Sequence, residues 1–221
     1  MLIIEGKKTF IFDAYGTLFD ISAPFIKYQY KLGDKTDNLA NLFRLKQIEY
    51  TWLLSLMGKY LNFWDITEKA LTYAYEYNNI DDKTLKKRLL DECLKVQTFP
   101  DVKKILLHLK NRGFSVFILS NGTYEMIKFA CNSNDMNDLI DKIISVDEVK
   151  IYKPHPNAYK LALEHLKMEN IVFLSSNSWD VSGAINFGFK TIWVNRKSDK
   201  WNNLTEKPFA EINNLNALKE I

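Results

Sequence analysis

The chain has 221 residues, of which 47% are hydrophobic and 26% are charged. These proportions are ordinary for a soluble globular protein, and the length allows one α/β domain with a smaller insert. Basic residues exceed acidic residues by only three charges. That excess is too small to indicate a nucleic-acid-binding surface.

The cysteines and the apolar runs bear on where the protein works. Cys93 and Cys131 form neither a CxxC motif nor a metal-binding cluster, so we expect two buried or half-buried thiols in a reducing compartment. The segment Met1–Phe12 has a short apolar run and no cleavage-site pattern, so no secretory signal is expected. The apolar runs also fall well short of a membrane span. We therefore expect a cytoplasmic protein with no membrane partner.

Short apolar runs recur along the chain in a way that predicts a parallel sheet. The first, Thr9–Phe12, is aromatic and β-branched and stops abruptly at Asp13. Runs without polar alternation are typical of strands that are buried on both faces. Four later runs have the same character: Phe114–Leu119, Ile143–Val146, Ile171–Leu174 and Thr191–Val194. Helical spacing separates most of them, and Gly113 is predicted to end one helix. We therefore predict an α/β fold with a Rossmann-like, doubly wound parallel sheet.

The segment after the first strand differs from the rest of the chain. Between residues 21 and 97 the sequence has long helical patterns and no convincing strand. One apolar stripe comprises Leu39, Leu42, Phe43, Leu45, Ile48, Trp52 and Leu53, and a second comprises Ile66, Ala70, Leu71, Ala74 and Tyr75. We predict a catalytic core formed by residues 1–20 and 98–221, and a helical cap formed by residues 21–97.

Polar side chains follow four of the predicted strands. The four groups are Asp13–Thr17, Ser120–Gly122, Lys153–Pro156 and Ser175–Asp180. Open parallel sheets bind ligands beyond the carboxyl ends of their strands, so we expect these groups to meet at one rim of the sheet.

The residue types at this rim suit covalent catalysis by a carboxylate. Asp13 can act as a nucleophile that forms an ester intermediate, and a nearby Lys153 would keep it ionised. A second carboxylate, Asp180, can act as a general base toward water. Hydroxyl, amide and backbone N–H groups can hold a small anion.

These motifs resemble, in order, those of the haloacid dehalogenase superfamily: DxYGT at Asp13, SNG at Ser120, KPHP at Lys153 and SSNxxD at Ser175. The cap segment Arg44–Gly58 and the loop Ser175–Ala184 resemble more narrowly the L-2-haloacid dehalogenases, and the resemblance extends from Phe10 to Arg196. It implies hydrolysis of (S)-2-haloalkanoic acids by water to (R)-2-hydroxy acids and halide, through an ester on Asp13 and without a cofactor. A homodimer formed through the cap is implied in the same way.

Two alternative functions need to be weighed, a Mg²⁺-dependent small-molecule phosphatase and a non-catalytic binding protein. Superfamily phosphatases resemble each other in having a second Asp two residues after the nucleophile, where this chain has Tyr15. They also carry further carboxylates in the last loop, whereas Asp180 is the only carboxylate between Ser175 and Gly188. Attack on a phosphate dianion needs a metal cation, but attack on a haloacid monoanion does not. We therefore favour a metal-independent dehalogenase.

The resemblance also assigns catalytic roles. Asp13 is the nucleophile, Thr17 bonds to its carboxylate or loop, and Lys153 is its charge partner. Tyr159 steadies the site through its hydroxyl. Ser175 and Asn177 orient Lys153 and Asp180, and Asp180 is the base. For Asp180 a structural role as the partner of Lys153 stays open. None of the three histidines has a spacing that predicts a metal site.

Substrate-binding roles follow from the same resemblance. Ala14 and Tyr15 contact the substrate, and Phe63 and Trp179 form an apolar wall around it. Arg44 and Asn121 receive the halide. Ser120 with nearby backbone N–H groups holds the substrate carboxylate. Tyr15 could also serve as a core aromatic residue. On composition alone, Arg44 would be a surface residue of a helix.

Overall fold

A computed structural model describes residues 9–220; residues 1–8 and 221, which the sequence assigns to the core, lie outside the described residues. The strands are β1 (Thr9–Phe12), β2 (Ser115–Ser120), β3 (Lys142–Ser145), β4 (Ile171–Ser175), β5 (Lys190–Val194) and β6 (Ala210–Ile212). All their pairings are parallel, and their order is β3-β2-β1-β4-β5-β6. This is the strand order of a Rossmann sheet, so the predicted fold is confirmed.

The helices cover the sheet and build the insert. They are α1 (Ala23–Lys27), α2 (Gln29–Leu32), α3 (Thr36–Leu56), α4 (Phe63–Tyr77), α5 (Lys83–Leu94), α6 (Val102–Asn111), α7 (Tyr124–Ser133), α8 (Pro156–Lys160) and α9 (Ser178–Phe187). Short 3₁₀ turns lie at Gly33–Lys35, Asn137–Leu139, Val146–Glu148, Leu161–Glu164, Met168–Asn170 and Leu215–Glu220. Within residues 9–220, none of the helices is long and apolar enough to cross a membrane.

The five predicted strands are confirmed, each to within one residue at either end. The edge strand β6 was not predicted, because only three residues pair there and Glu211 is exposed. The predicted end of α6 is also confirmed: Gly113 has a φ of +78°, and its amide donates to the Lys110 carbonyl at 2.9 Å. Both cysteines carry free thiols in the described chain, with Cys93 half-buried and Cys131 buried.

The central strand β1 sets the position of the site. All four of its residues are buried, which explains the absence of polar alternation. The chain continues to β2 and β3 on one side of β1 and to β4, β5 and β6 on the other. Ligand crevices form at such a switch point. Asp13 follows β1 directly, and its amide donates to the Leu174 carbonyl at 2.9 Å, so its side chain starts at this crevice.

Residues 21–97, all of them described, contain α1 to α5 and no strand. Their buried side chains form a hydrophobic cluster of their own: Phe25, Leu32, Leu39, Phe43, Ala70, Leu71, Ala74, Tyr75, Leu85 and Leu89. Phe63 and Ile66, near the start of α4, join the main core instead. We therefore propose that residues 21–97 form a cap domain that packs on the core of residues 1–20 and 98–221.

Helix α3 is less buried than the predicted apolar stripe. Leu39, Phe43 and Ile48 are buried, but Leu45 and Leu53 are 60% and 45% exposed. A helix turns once in about 3.6 residues, so Leu45 lies on a different face from Leu39. The apolar stripe predicted for α3 therefore combined residues from two different faces of the helix.

Candidate active site

Three side-chain donors hold Asp13, which is only 5% exposed. Lys153 Nζ donates to Asp13 Oδ1 at 3.0 Å. Thr17 Oγ1 and Asn177 Nδ2 each donate to Asp13 Oδ2 at 2.9 Å. Hydrogen bonds to an ionised acceptor are short and strong. The carboxylate is therefore fixed in one orientation at the carboxyl end of β1.

Lys153 has no exposed surface and uses all three ammonium protons. Its Nζ donates to Asp13 Oδ1 and to the Leu119 carbonyl at 3.0 Å, and to Asp180 Oδ2 at 2.8 Å. Burial lowers the pKa of Lys153, but the charges of Asp13 and Asp180 outweigh burial, and the pKa is raised overall. Lys153 therefore stays charged at neutral pH and joins the two carboxylates.

Asp180 is fully buried in the first turn of α9. Burial raises the pKa of Asp180, while the Lys153 charge opposes this shift and the Asp13 charge adds to it. The Tyr159 hydroxyl donates to Asp180 Oδ1 at 2.8 Å and lies 3.0 Å from the Asp180 carbonyl oxygen. Burial and the Asp180 charge raise the pKa of Tyr159, so Tyr159 stays a neutral donor that orients Asp180.

Tyr159 reaches Asp180 only because α9 has a glycine where the two elements meet. A Cβ on Gly183 would lie 2.4 Å from Tyr159 Oη and 2.5 Å from Pro154 Cβ. A larger residue would push away either the tyrosine or the turn that follows Lys153. The glycine therefore fixes the distance between α9 and the Lys153 segment.

Arg44 extends from α3 of the cap into the same site. Its Nη2 donates to the Tyr15 carbonyl at 3.2 Å and to Asn177 Oδ1 at 3.3 Å, and its Nη1 donates to Gln47 Oε1 at 2.7 Å. All three acceptors are neutral, and none of the hydrogen bonds that Arg44 makes within residues 9–220 goes to a carboxylate. Burial lowers the pKa of Arg44 to about 10. The guanidinium therefore still carries a full positive charge at neutral pH.

Asn121 offers a donor that the protein does not use. Its Oδ1 accepts from the Lys153 amide at 3.0 Å, while its Nδ2 is buried with no partner among the described residues. Buried donors are nearly always satisfied, so this amide is available to donate to a small molecule bound at the rim. Ser120 is also buried, and its Oγ accepts from the Gly122 amide at 3.1 Å.

The predicted apolar residues lie around the same rim. Ala14 is fully buried. Tyr15 stacks on Phe63 with ring centroids 5.8 Å apart, and its hydroxyl is buried with no partner in the described part of the chain. Trp179 is half-buried and packs edge-to-face on Trp52 at 5.6 Å.

Ser175 and Asn177 make contacts that correct the expectation. They were expected to orient Lys153 and Asp180, but Asn177 Nδ2 donates to Asp13 Oδ2 and to the Tyr15 carbonyl. Ser175 Oγ accepts from the Asn177 amide at 3.1 Å. The loop after β4 thus turns Asn177 toward the end of β1, and Tyr159 and Lys153 are left to hold Asp180.

Three contributors to the site were not identified from the sequence. The Leu119 carbonyl accepts from Lys153, and the Ser176 amide donates to Thr17 Oγ1 at 2.8 Å. Main-chain groups give no signal in residue type. Gln47 bonds to Arg44 from three residues further along α3. A spacing of three residues places Arg44 and Gln47 on one face of the helix. This spacing could have identified Gln47 from the sequence.

A cleft of about 360 Å³ lies beside Arg44, Asn177 and Trp179. This volume suits a small molecule. Within residues 9–220, no group of three or more His, Cys, Asp or Glu side chains is placed to hold a metal ion. The cation between Asp13 and Asp180 is the ammonium of Lys153.

Comparisons with known proteins agree with this geometry. A family model described as haloacid dehalogenase-like hydrolase matches residues 7–188. (S)-2-Haloacid dehalogenase 1 of Pseudomonas sp. (strain CBS-3) is 40% identical over 87% of this chain and 86% of its own length. (S)-2-Haloacid dehalogenase 4A of Burkholderia cepacia is 36% identical over 99% of this chain and 95% of its own length. A solved structure of L-2-haloacid dehalogenase from Xanthobacter autotrophicus, with chloropropionic acid covalently bound, matches with a TM-score of 0.89 and 29% identity, over 97% of this chain and 98% of that one.

Replacing Lys153 by Met should destabilise the fold in a pH-dependent way. We expect the free energy of unfolding to fall by about 3–5 kcal/mol near neutral pH, because two buried carboxylates lose their counter-charge. Without the ammonium, burial raises the pKa of Asp180 further, so the folded state binds this proton more tightly than the unfolded state. The deficit relative to wild type should therefore shrink between about pH 7 and about pH 5, where the Lys153 contribution is fully present in wild type.

Urea unfolding at several pH values measures this deficit. Lys103→Met is the control, because Lys103 is exposed and lies 3.5 Å from Asp135, and it should cost less than about 1 kcal/mol. A Lys153→Met deficit that stays constant or grows on acidification would contradict the prediction.

Proposed function

Because the chain belongs to the haloacid dehalogenase-like hydrolases, we propose that it hydrolyses (S)-2-haloalkanoic acids to (R)-2-hydroxy acids and halide, without a metal ion or other cofactor. The observation that carries the proposal is that one buried lysine joins two buried carboxylates, Asp13 and Asp180. The (S)-2-haloacid dehalogenases among its relatives support the choice of substrate.

In the first step, a carboxylate oxygen of Asp13 attacks Cα of the haloacid from the side opposite the halogen. The new carbon–oxygen bond forms as the carbon–halogen bond breaks, and the halide leaves with the bonding electrons. The configuration at Cα therefore inverts. Lys153, Thr17 and Asn177 fix the nucleophile beforehand, so little entropy is lost in aligning it.

The leaving halide and the rest of the substrate have separate binding groups. The charge of Arg44 and the unsatisfied Nδ2 of Asn121 suit the halide. Ser120 and nearby backbone N–H groups hold the substrate carboxylate. Ala14, Tyr15, Phe63 and Trp179 enclose its carbon chain.

In the second step, water attacks the carbonyl carbon of the Asp13 ester, and Asp180 accepts the water proton. The bond between that carbon and the product oxygen breaks, the product oxygen takes the second proton of the water, and Asp13 regains its carboxylate with one oxygen from water. Asp180 then releases its proton to solvent. Cα is not attacked again, so the configuration inverts only once. The raised pKa of Asp180 favours proton transfer to it.

We also propose that the protein works in the cytoplasm as a homodimer formed through the cap. The free thiols of Cys93 and Cys131 support a reducing compartment. Leu45, Leu53 and Leu56 on α3 are 60%, 45% and 85% exposed. Apolar side chains grouped on one exposed helix favour a protein partner there.

The purified protein should release chloride from L-2-chloropropionate but not from D-2-chloropropionate, with EDTA present. Asp13→Asn keeps the shape of the side chain but removes the nucleophile, so it should lower kcat on the order of a thousandfold or more. A chloride assay measures both results. EDTA-sensitive hydrolysis of p-nitrophenyl phosphate without chloride release would support the phosphatase instead, and no turnover of either compound would support the binding protein.

A single turnover in ¹⁸O-water should place the label in the Asp13 carboxylate and leave the first product molecule unlabelled. The reason is that water attacks the carbon of Asp13 and not Cα. Mass spectrometry of the Asp13 peptide and of the product makes the measurement. Label in the product with unlabelled Asp13 would rule out the ester.

Asp180→Asn should let the ester form but not break down. We expect a burst of about one halide per site, slower than in wild type because Lys153 then holds Asp13 more tightly, followed by turnover lowered about 100- to 10,000-fold because the base is missing. Intact-protein mass spectrometry should detect the ester. If Asp180 serves only to position Lys153, the burst itself will be lost and no ester will accumulate. Asp199→Asn, the same change at an exposed position of the cleft, is the control and should accumulate none.

A further inference from the structure

We propose that Gln47 is a positioning residue, whose neutral amide fixes the Arg44 guanidinium for the departing halide without neutralising its charge. The inference rests on the proposed function, in which Arg44 receives the halide. Gln47 is 5% exposed and lies in the cap.

Both ends of the Gln47 amide are used, and its orientation is fixed. Gln47 Oε1 accepts from Arg44 Nη1 at 2.7 Å, and Gln47 Nε2 donates to Thr67 Oγ1 at 2.8 Å. The Thr67 hydroxyl proton is committed to the Phe63 carbonyl at 2.7 Å. Thr67 Oγ1 therefore has only acceptor capacity left, and a flipped amide would face it with an oxygen. The network thus points the amide oxygen at Arg44.

These contacts close a ring that links the cap to the nucleophile loop. Arg44 and Gln47 lie on α3, and Phe63 and Thr67 lie on α4. Phe63 stacks on Tyr15, and the Tyr15 carbonyl accepts from Arg44 Nη2. The place of the guanidinium is therefore set jointly by two cap helices and by the loop that follows Asp13.

The neutrality of Gln47 matters as much as its place. Arg44 is half-buried, and arginines shielded from water are usually paired with carboxylates. Three of the five N–H donors of Arg44 bond to neutral groups of the described chain, which leaves one on Nη1 and one on Nε. A glutamate would occupy nearly the same space as Gln47 and bond to Arg44 through one oxygen, while its second oxygen would accept the Thr67 hydroxyl proton in place of the Phe63 carbonyl. It would also offset the positive charge that attracts a halide.

Two substitutions of Gln47 can therefore separate the placement of Arg44 from its charge. Gln47→Glu retains the hydrogen bond and removes the net charge, whereas Gln47→Met retains the charge and removes the bond. Pre-steady-state halide bursts with 2-chloro- and 2-bromopropionate measure the step in which halide departs. Inhibition by sodium chloride and sodium bromide measures halide affinity, and thermal unfolding measures stability.

We expect Gln47→Glu to slow the chloride burst about 10- to 100-fold and the bromide burst less, since bromide is the better leaving group. Halide inhibition should weaken about tenfold or more, while KM changes little. The unfolding temperature should fall slightly, because the bond from Thr67 to the Phe63 carbonyl is given up. Gln47→Met should slow both bursts with a smaller loss of halide inhibition. Glu49→Gln is the control, because Glu49 lies on the same helix in a half-exposed pair with Lys46, and its rates should equal those of wild type.

Wild-type rates and halide inhibition in a folded Gln47→Glu variant would overturn the inference. So would equal loss with both substrates and unchanged halide inhibition in Gln47→Glu, because that result indicates only a structural role. Absence of halide release by wild type in the same assay would instead overturn the proposed function, and this inference with it.

Discussion

The arrangement depends first on the contact of one buried ammonium with two buried carboxylates. Burying Asp13 or Asp180 alone would cost much desolvation free energy. Burying Lys153 would likewise be costly unless all three of its ammonium protons had acceptors. Its third acceptor is the Leu119 carbonyl of β2. The contact therefore requires the ends of β1 and β2, the segment after β3 and the first turn of α9 to meet at one point. A sheet with β1 between β2 and β4 brings them together there.

The cap and the core contribute different chemistry to this point. The core holds Asp13 and Asp180 through bonds to rigid elements, including the close approach of Tyr159 to Gly183 on α9. The cap adds Arg44, held by neutral groups on both sides of the interface. Arg44 bonds to Asn177, which in turn donates to Asp13, so the position of Arg44 in the cap is coupled to the loop that holds Asp13.

The sequence predicted the parts of the site that follow from general rules of parallel sheets. Continuous apolar runs marked the buried strands, and polar residues at their ends marked Asp13, Lys153 and Asp180 as neighbours. The sequence did not predict the individual side-chain contacts. Residue type does not tell whether Asn177 faces Asp13 or Asp180, since both are acceptors within reach of one loop. Helical spacing places Gln47 beside Arg44 but does not reveal Thr67, which fixes the amide from another helix. The edge strand β6 is too short to give a pattern.

Under the proposed function, the first step moves one negative charge across the site, from Asp13 beside Lys153 to a halide beside Arg44. Lys153 stabilises the charge before the reaction, and Arg44 stabilises it as it develops. Only interactions that strengthen in the transition state accelerate a step, so a lysine bound to Asp13 alone would slow the attack. Because Lys153 also bonds to Asp180, Lys153 binds Asp13 less tightly, and the Asp13 carboxylate stays nucleophilic. Because Gln47 is neutral, the hold of Arg44 on the halide is not weakened in the same way. The two cations thus differ in their partners, and the difference favours transfer of charge toward the halide.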